Sequence, residues 1–233
     1  MAKSDSTACS KMPKDSHLMV ENRNAGDKHF LFSTAYMGPV SYYHILNKSD
    51  HCFVEQYEYY EKQSYRNRCR IATANGVMDL SIPVEKQKAG ELIKDVRISD
   101  HTDWQTMHWR SIEAAYNSSP FFEYYSDDLH PFFEKKWVFL WDFNMQLHNV
   151  LTDLLDIENK TEVTDRYIES EQQTIVDLRN RIHPKKDNLL QALPYYQVFE
   201  QKNGFIPGLS IIDLLFNMGN ESLLILNQDP VFI

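Results

Sequence analysis

Apolar positions come as short unbroken runs early in the chain and as helical stripes in the middle. Phe30-Leu31-Phe32-Ser33-Thr34-Ala35-Tyr36 is a compact run that reads as a buried strand. Gly38-Pro39 breaks it, and proline suits the first turn of a helix. Val40, Tyr43 and Leu46, with Tyr42 beside them, then keep helical spacing as far as Asn47. Cys52-Phe53-Val54-Glu55 predicts a second strand, and a β-α-β order normally sets two parallel strands side by side. The runs from Arg68 to Thr73 and from Val77 to Val84 flank Ala74-Asn75-Gly76, and Asn-Gly between such runs signals a hairpin. Asp95 to Ser99 is expected as a further strand.

The middle of the chain changes period. Trp104, Met107, His108, Ser111, Ile112, Ala115 and Tyr116 recur at helical spacing, and Ser119-Pro120 ends that stripe because the residue before proline avoids the α region. Pro131 opens a longer predicted helix of about seven turns, with Phe132, Phe133, Trp137, Leu140, Trp141, Asn144, Leu147, His148, Leu151, Leu154 and Leu155 on one face. Residues 159–203 are polar and lack a clear period. Ser210-Ile211-Ile212-Asp213 has the spacing of a capping box, Gly219 is placed to stop that helix, and Asn220 can cap a last turn to Leu226.

These elements give an α/β fold class: a mixed sheet with a β-α-β start and an Asn-Gly hairpin, packed by a long-helix middle segment. The expected organisation is a flexible N-terminal tail over residues 1–28 and a mixed sheet with one crossover helix over 29–100. A helical segment of the same domain follows over 101–158, and a polar connection with a closing helix over 159–233.

Composition narrows the function classes. The chain has 233 residues, and an apolar fraction of 42% is enough for a packed core. A net charge of −9 speaks against nucleic acid as a partner, which needs a basic surface. The 3 cysteines, Cys9, Cys52 and Cys69, make neither a disulfide framework nor a C-x-x-C pair, which fits a reducing cytoplasm. No stretch is apolar over the length a membrane span needs, and the polar start lacks the apolar core of a signal peptide. Dinucleotide, P-loop, zinc-protease and nucleophile-elbow motifs are absent, and the histidines lack metal-ligand spacing, so no cofactor and no metal are expected.

The chemistry concentrates between Tyr57 and Ile71, where basic residues and tyrosines gather in an otherwise acidic chain. On a strand, Arg66, Arg68 and Arg70 share one face while Asn67, Cys69 and Ile71 point the other way. Three like charges in a row repel, so the row asks for counter-charge. It comes from a phosphate or carboxylate held with Lys62, or from Glu55, Glu58 and Glu61 on a solvated face. In a turn, Asn67 joins that site; otherwise it bonds backbone. Tyr36 follows the first strand, and the carboxyl ends of strands face the ligand crevice of an open α/β sheet. His108 is either a general base or a core histidine beside Trp104 and Ile112.

The same residues carry a family resemblance. The run Tyr36-Met37-Gly38-Pro39-Val40-Ser41-Tyr42-Tyr43, then Tyr60-x-Lys62 followed by Asn67-Arg68-Cys69-Arg70-Ile71, resembles the WbqC-like family. So do Ile112 to Phe122 and the closing run Phe205-Ile206-Pro207-Gly208-Leu209-Ser210-Ile211-Ile212-Asp213-Leu214-Leu215-Phe216-Asn217. The resemblance covers residues 30–220. It implies a place in bacterial O-antigen and other surface polysaccharide synthesis, with transfer of glycine or another acyl group to a sugar. The arginine row beside the tyrosines is expected to hold a sugar, a nucleotide sugar or an acyl donor, with Tyr36, Tyr60, Lys62, Asn67, Arg66, Arg68 and Arg70 as the candidate binding residues. Many members carry an acidic residue a few positions before the lysine motif, for which Glu55 and Glu58 are the nearest here. Longer members have a glycine-containing α/β stretch where this chain has the shorter polar 159–203 region. No nucleophile–base pair is legible, which leaves a non-catalytic subunit that binds a protein partner of the same pathway as the other reading.

Overall fold

A computed structural model describes residues 29–158, 161–169, 174–186 and 188–233. The expected tail over 1–28 lies outside the described residues. The chain opens β1 (His29–Ser33), α1 (Val40–Lys48), β2 (Cys52–Glu55), in the order the apolar runs predict. The hairpin follows as β3 (Arg68–Thr73) and β4 (Gly76–Ser81). Helices α2 (Trp104–Tyr116), α3 (Phe122–Leu129), α4 (Pro131–Glu134) and α5 (Leu140–Leu154) form the middle. Two strands come next, β5 (Thr161–Val163) and β6 (Ile175–Asp177). The chain closes with α6 (Glu200–Asn203), α7 (Ile211–Met218) and α8 (Ser222–Leu226).

The fold is α/β, but its parallel and antiparallel pairings lie in separate sheets. One sheet has the order β5-β2-β1-β6, and every pair in it is parallel. The other is the β3-β4 hairpin alone, in register from Arg68↔Ser81 to Thr73↔Gly76. β1 runs beside β2 from Phe30↔Cys52 to Ser33↔Glu55, so both strands end together. Strands β5 and β6 fall in the stretch that looked polar and aperiodic. Each is 3 residues long, too short to show alternation, and main-chain bonds to β2 and β1 define them.

Two expectations fail together. Residues 95–99 do not form a strand of either sheet, and the helix from Pro131 does not run unbroken to Leu155. Ile98 N–H donates to the Val138 carbonyl at 3.0 Å, and Leu140 N–H to the Val96 carbonyl at 2.9 Å. These main-chain bonds hold the segment 135–139 against residues 96–98, and its apolar spacing serves a corner between α4 and α5.

The capping box also does not form. Ser210 precedes α7, but its hydroxyl donates to the Met37 carbonyl at 2.6 Å. Met37 lies at φ 43, an unfavourable conformation for a residue with a Cβ. That bond, with Ile211 N–H to the Gly38 carbonyl at 2.9 Å, clamps the turn after β1. The Asp213 carboxylate instead accepts from Tyr116 and Tyr195 at 2.8 Å each and from Gln197 at 3.2 Å, deep in the core. Gly219 does stop α7, at φ 54; a Cβ there would meet the Phe121 ring at 2.6 Å.

Candidate functional site

Strand order sets where a site can form. From β1 the chain crosses through α1 to β2 and on to β5, while β6 lies on the other side of β1. Connections therefore leave in opposite directions at the β1/β6 boundary, which opens a crevice at the carboxyl ends of the strands. A cleft of about 260 Å³ occupies that place, lined by Ser33, Thr34, Tyr65, Arg66, Arg179 and Ile182 among others.

Charged groups crowd behind this cleft. Glu58 and Arg66 form a two-pronged pair, Nε to Oε1 at 2.8 Å and Nη2 to Oε2 at 2.5 Å, with both side chains buried. Arg66 Nη1 also reaches Glu61 Oε2 at 3.3 Å. Ser33, the last residue of β1, donates from its hydroxyl toward Glu58 Oε2 and the Arg179 carbonyl, 3.1 Å from each. Glu55 ends β2, fully buried, and accepts from Thr164 Oγ1 and the Ile168 N–H at 2.8 Å and the Tyr57 N–H at 2.9 Å. Arg179 Nη1 meets it at 3.4 Å, while Arg179 Nη2 holds Asp177 at 2.6 Å. The Tyr167 ring lies 4.8 Å from that guanidinium. Burial raises the Glu58 carboxyl above its ordinary range, and the bonds from Arg66 and Ser33 oppose that only in part. Buried charges are expensive to keep, so such a cluster beside a cleft is a functional-site candidate.

The arginine row is divided by the fold. Arg66 precedes β3 and turns inward to Glu58. Arg68 and Arg70 stay on the hairpin and share Asp79, at 3.1 and 3.4 Å. Arg70 Nη2 also donates to the Pro184 carbonyl at 3.0 Å. Much of the counter-charge that the row asks for therefore comes from within the protein. Asn67 donates to the Ile82 carbonyl at 2.8 Å and closes the base of the hairpin. Lys62 is exposed. Tyr60 is half-buried near Arg66 and Arg68, and burial holds its hydroxyl at about 12.

Tyr36 and His108 meet each other rather than the cleft. The Tyr36 hydroxyl and His108 Nδ1 are 2.9 Å apart, and the His108 ring also bonds the Ser81 backbone. Burial lowers the imidazole to about 4, so it is neutral near pH 7. Ser33, Glu58 and Arg179 were not among the residues singled out for binding or catalysis. The end of β1 was the available signal for Ser33. Arg179 had none, because it follows a strand, β6, too short to show a period. Among the described residues no group of three or more His, Cys, Asp or Glu is placed to hold a metal ion, and no helix is long and apolar enough to cross a membrane.

The fold and this cleft define an α/β protein with a crevice at the switch point of a parallel sheet, backed by buried charges. Residues 34–186 match the model of the WbqC-like protein family, more than half of the chain, and the protein belongs to that family. The match begins just after β1, takes in the arginine row and the Arg179 segment, and stops before the closing run from Phe205. The chain is also 28% identical over 209 residues to the uncharacterized protein Rv1507c of Mycobacterium tuberculosis (strain ATCC 25618 / H37Rv), covering 78% of this chain and 89% of that protein. No solved structure matches the chain significantly.

Proposed function

We propose that this protein is a cytoplasmic transferase of bacterial surface polysaccharide synthesis that moves glycine or another acyl group onto a sugar. The observation that carries this reading is Glu58: a buried carboxylate with a raised pKa, hydrogen-bonded to Ser33, which lines the crevice. A carboxylate so placed is suited to take the proton from a sugar hydroxyl as its oxygen attacks the acyl carbon. The new C–O ester bond replaces the bond to the donor's leaving group, and that group departs with the bonding pair. Arg66 and Arg179 set positive charge beside the reacting centre. The donor's phosphate or carboxylate lies along Lys62, Arg68 and Arg70. The half-exposed pairs of Arg68 and Arg70 with Asp79 are weak enough for a ligand anion to displace.

The test is Glu58→Gln, which keeps the shape and two hydrogen-bonding atoms. Turnover is expected to fall by a factor on the order of 10² to 10⁴. In a thermal-shift screen with nucleotide sugars, glycine, acyl-CoA and inorganic phosphate, a ligand at about one hundred times its Kd adds about 2.7 kcal/mol. That raises Tm by several degrees, at roughly 2–4 °C per kcal/mol for a chain of this size. Unchanged turnover in the variant sinks the assignment of Glu58.

A second reading is a non-catalytic subunit that binds a protein of the same pathway. Its support is a largely apolar hollow of about 450 Å³ between α1 and the segment 188–208, together with exposed Val231, Phe232 and Ile233. No ligand shift in the screen, with a pathway protein retained on the chain, favours that reading.

A further inference from the structure

Ser33 is the last residue of β1 and lines the crevice, half-buried, and so far it only supports Glu58. A serine hydroxyl has one proton to give and two lone pairs that accept. The proton is engaged, because Glu58 Oε2 and the Arg179 carbonyl each lie 3.1 Å from Oγ. The lone pairs are not: among the described residues no N–H or O–H donates to Ser33 Oγ.

The group that holds the proton is itself held. Arg66 Nε and Nη2 reach the two oxygens of Glu58 at 2.8 and 2.5 Å, with both side chains buried. A hydroxyl in hydrogen-bond reach of a base, with the base oriented by a third group, is the arrangement of an activated nucleophile. Here the base is a carboxylate, and no histidine lines the crevice. Burial raises the Glu58 carboxyl, so a proton it takes is held more firmly than by an ordinary carboxylate. Ala35, Leu178 and Ile182 give the crevice apolar walls, which suit an acyl group.

We infer that Ser33 is the nucleophile that carries the acyl group, as an ester on Oγ, between donor and acceptor. This rests on the transferase reading and divides its transfer into two steps. In the first, Oγ attacks the acyl carbon of a thioester donor and its proton passes to Glu58. The C–S bond breaks, and the thiolate leaves with the bonding pair and takes the proton from Glu58. In the second, the sugar oxygen attacks the same carbon and Glu58 takes the sugar proton. The C–Oγ bond then breaks, and Oγ keeps the bonding pair and receives that proton. Arg66 and Arg179, which also line the crevice, set positive charge beside the oxygen that turns negative in each step.

The test treats the full chain with diisopropyl fluorophosphate, whose serine ester does not turn over, and separately with p-nitrophenyl acetate. Intact mass and peptide mapping locate the adduct. The expected result is one phosphoryl group per chain on Ser33, and acetyl at the same residue in a burst of p-nitrophenolate. Both adducts should vanish in Ser33→Ala, and the burst should slow by a factor on the order of 10² to 10⁴ in Glu58→Gln. The map on the parent chain decides, whether or not the variants fold. Neither probe on Ser33, or equal labelling in a folded Ser33→Ala, overturns the nucleophile. If acyl-CoA still raises Tm in that case, the sugar attacks the donor directly and the transferase reading stands. If Ser33 is labelled but no acyl donor or sugar nucleotide raises Tm, the nucleophile stands and the transferase reading falls.

Discussion

The crevice at the end of the parallel sheet and the β3-β4 hairpin both carry arginines from one short stretch of sequence, and they use them differently. Arg66 is buried in a two-pronged pair with Glu58, whereas Arg68 and Arg70 share Asp79 at the protein surface. A charge withdrawn from water depends on its partner for several kcal/mol, while one still wetted depends on it hardly at all. Adjacent arginines of identical chemistry can therefore differ in structural weight by the depth at which the backbone leaves them.

Arg66→Ala gives the largest contrast. It strands Glu58 in a buried site and is expected to cost about 3–5 kcal/mol at neutral pH, read from urea denaturation. The loss should shrink as pH falls, because a carboxyl whose pKa burial has raised is neutralised more readily than an ordinary one. A loss below about 1 kcal/mol at pH 7 would put Arg66 in the same class as the hairpin arginines.

Acid should act on the core next. Burial lowers both His108 and His148 to about 4, from an ordinary 6.5. Stability from a lowered histidine is complete above its ordinary value and is lost as pH falls from there toward 4, about 3 kcal/mol for each ring. His44 and His183 shift in the same direction. Asp213 is raised from 3.8 to about 6, again by burial, so its contribution is present at low pH and is lost as pH rises through 6. It offsets about one histidine. The chain should lose about 3 kcal/mol between pH 6.5 and 4.5. The loss should steepen in Asp213→Asn, whose side chain does not titrate. A pH-independent denaturation midpoint over that range would show that these rings are not buried neutral.

The hairpin gives the smallest effect. Arg68→Ala removes the contacts to Asp79 and Ser81 and should change stability by less than about 1 kcal/mol, less still in high salt. If its cost matched that of Arg66→Ala, the division between the two regions would fail.

Much of the fold was legible where elements satisfy themselves locally. β1, α1, β2, the hairpin and α2 could be read because each carries its own period or turn signal within a few residues. The misread elements share one cause. The corner at 135–139 exists because residues 96–98 offer it main-chain bonds across a long sequence separation, and a stripe of apolar residues is compatible with a bend as well as with a helix. Ser210 and Asp213 have the spacing of a cap but find stronger partners in Met37, Tyr116 and Tyr195, which no local pattern announces.

For the site, the sequence by itself determined which residues are available: an acidic and aromatic-rich stretch, a row of arginines, and a strand ending in Ser33. It also carried the family, through motifs that survive without any knowledge of contacts. The tertiary structure decided which charges are buried and what they face. β6 pairs with β1 over three residues and so brings Arg179 beside Ser33 and Glu55. Those partners lie more than a hundred residues apart. Strand order and burial, which are properties of the packed chain alone, bring them together.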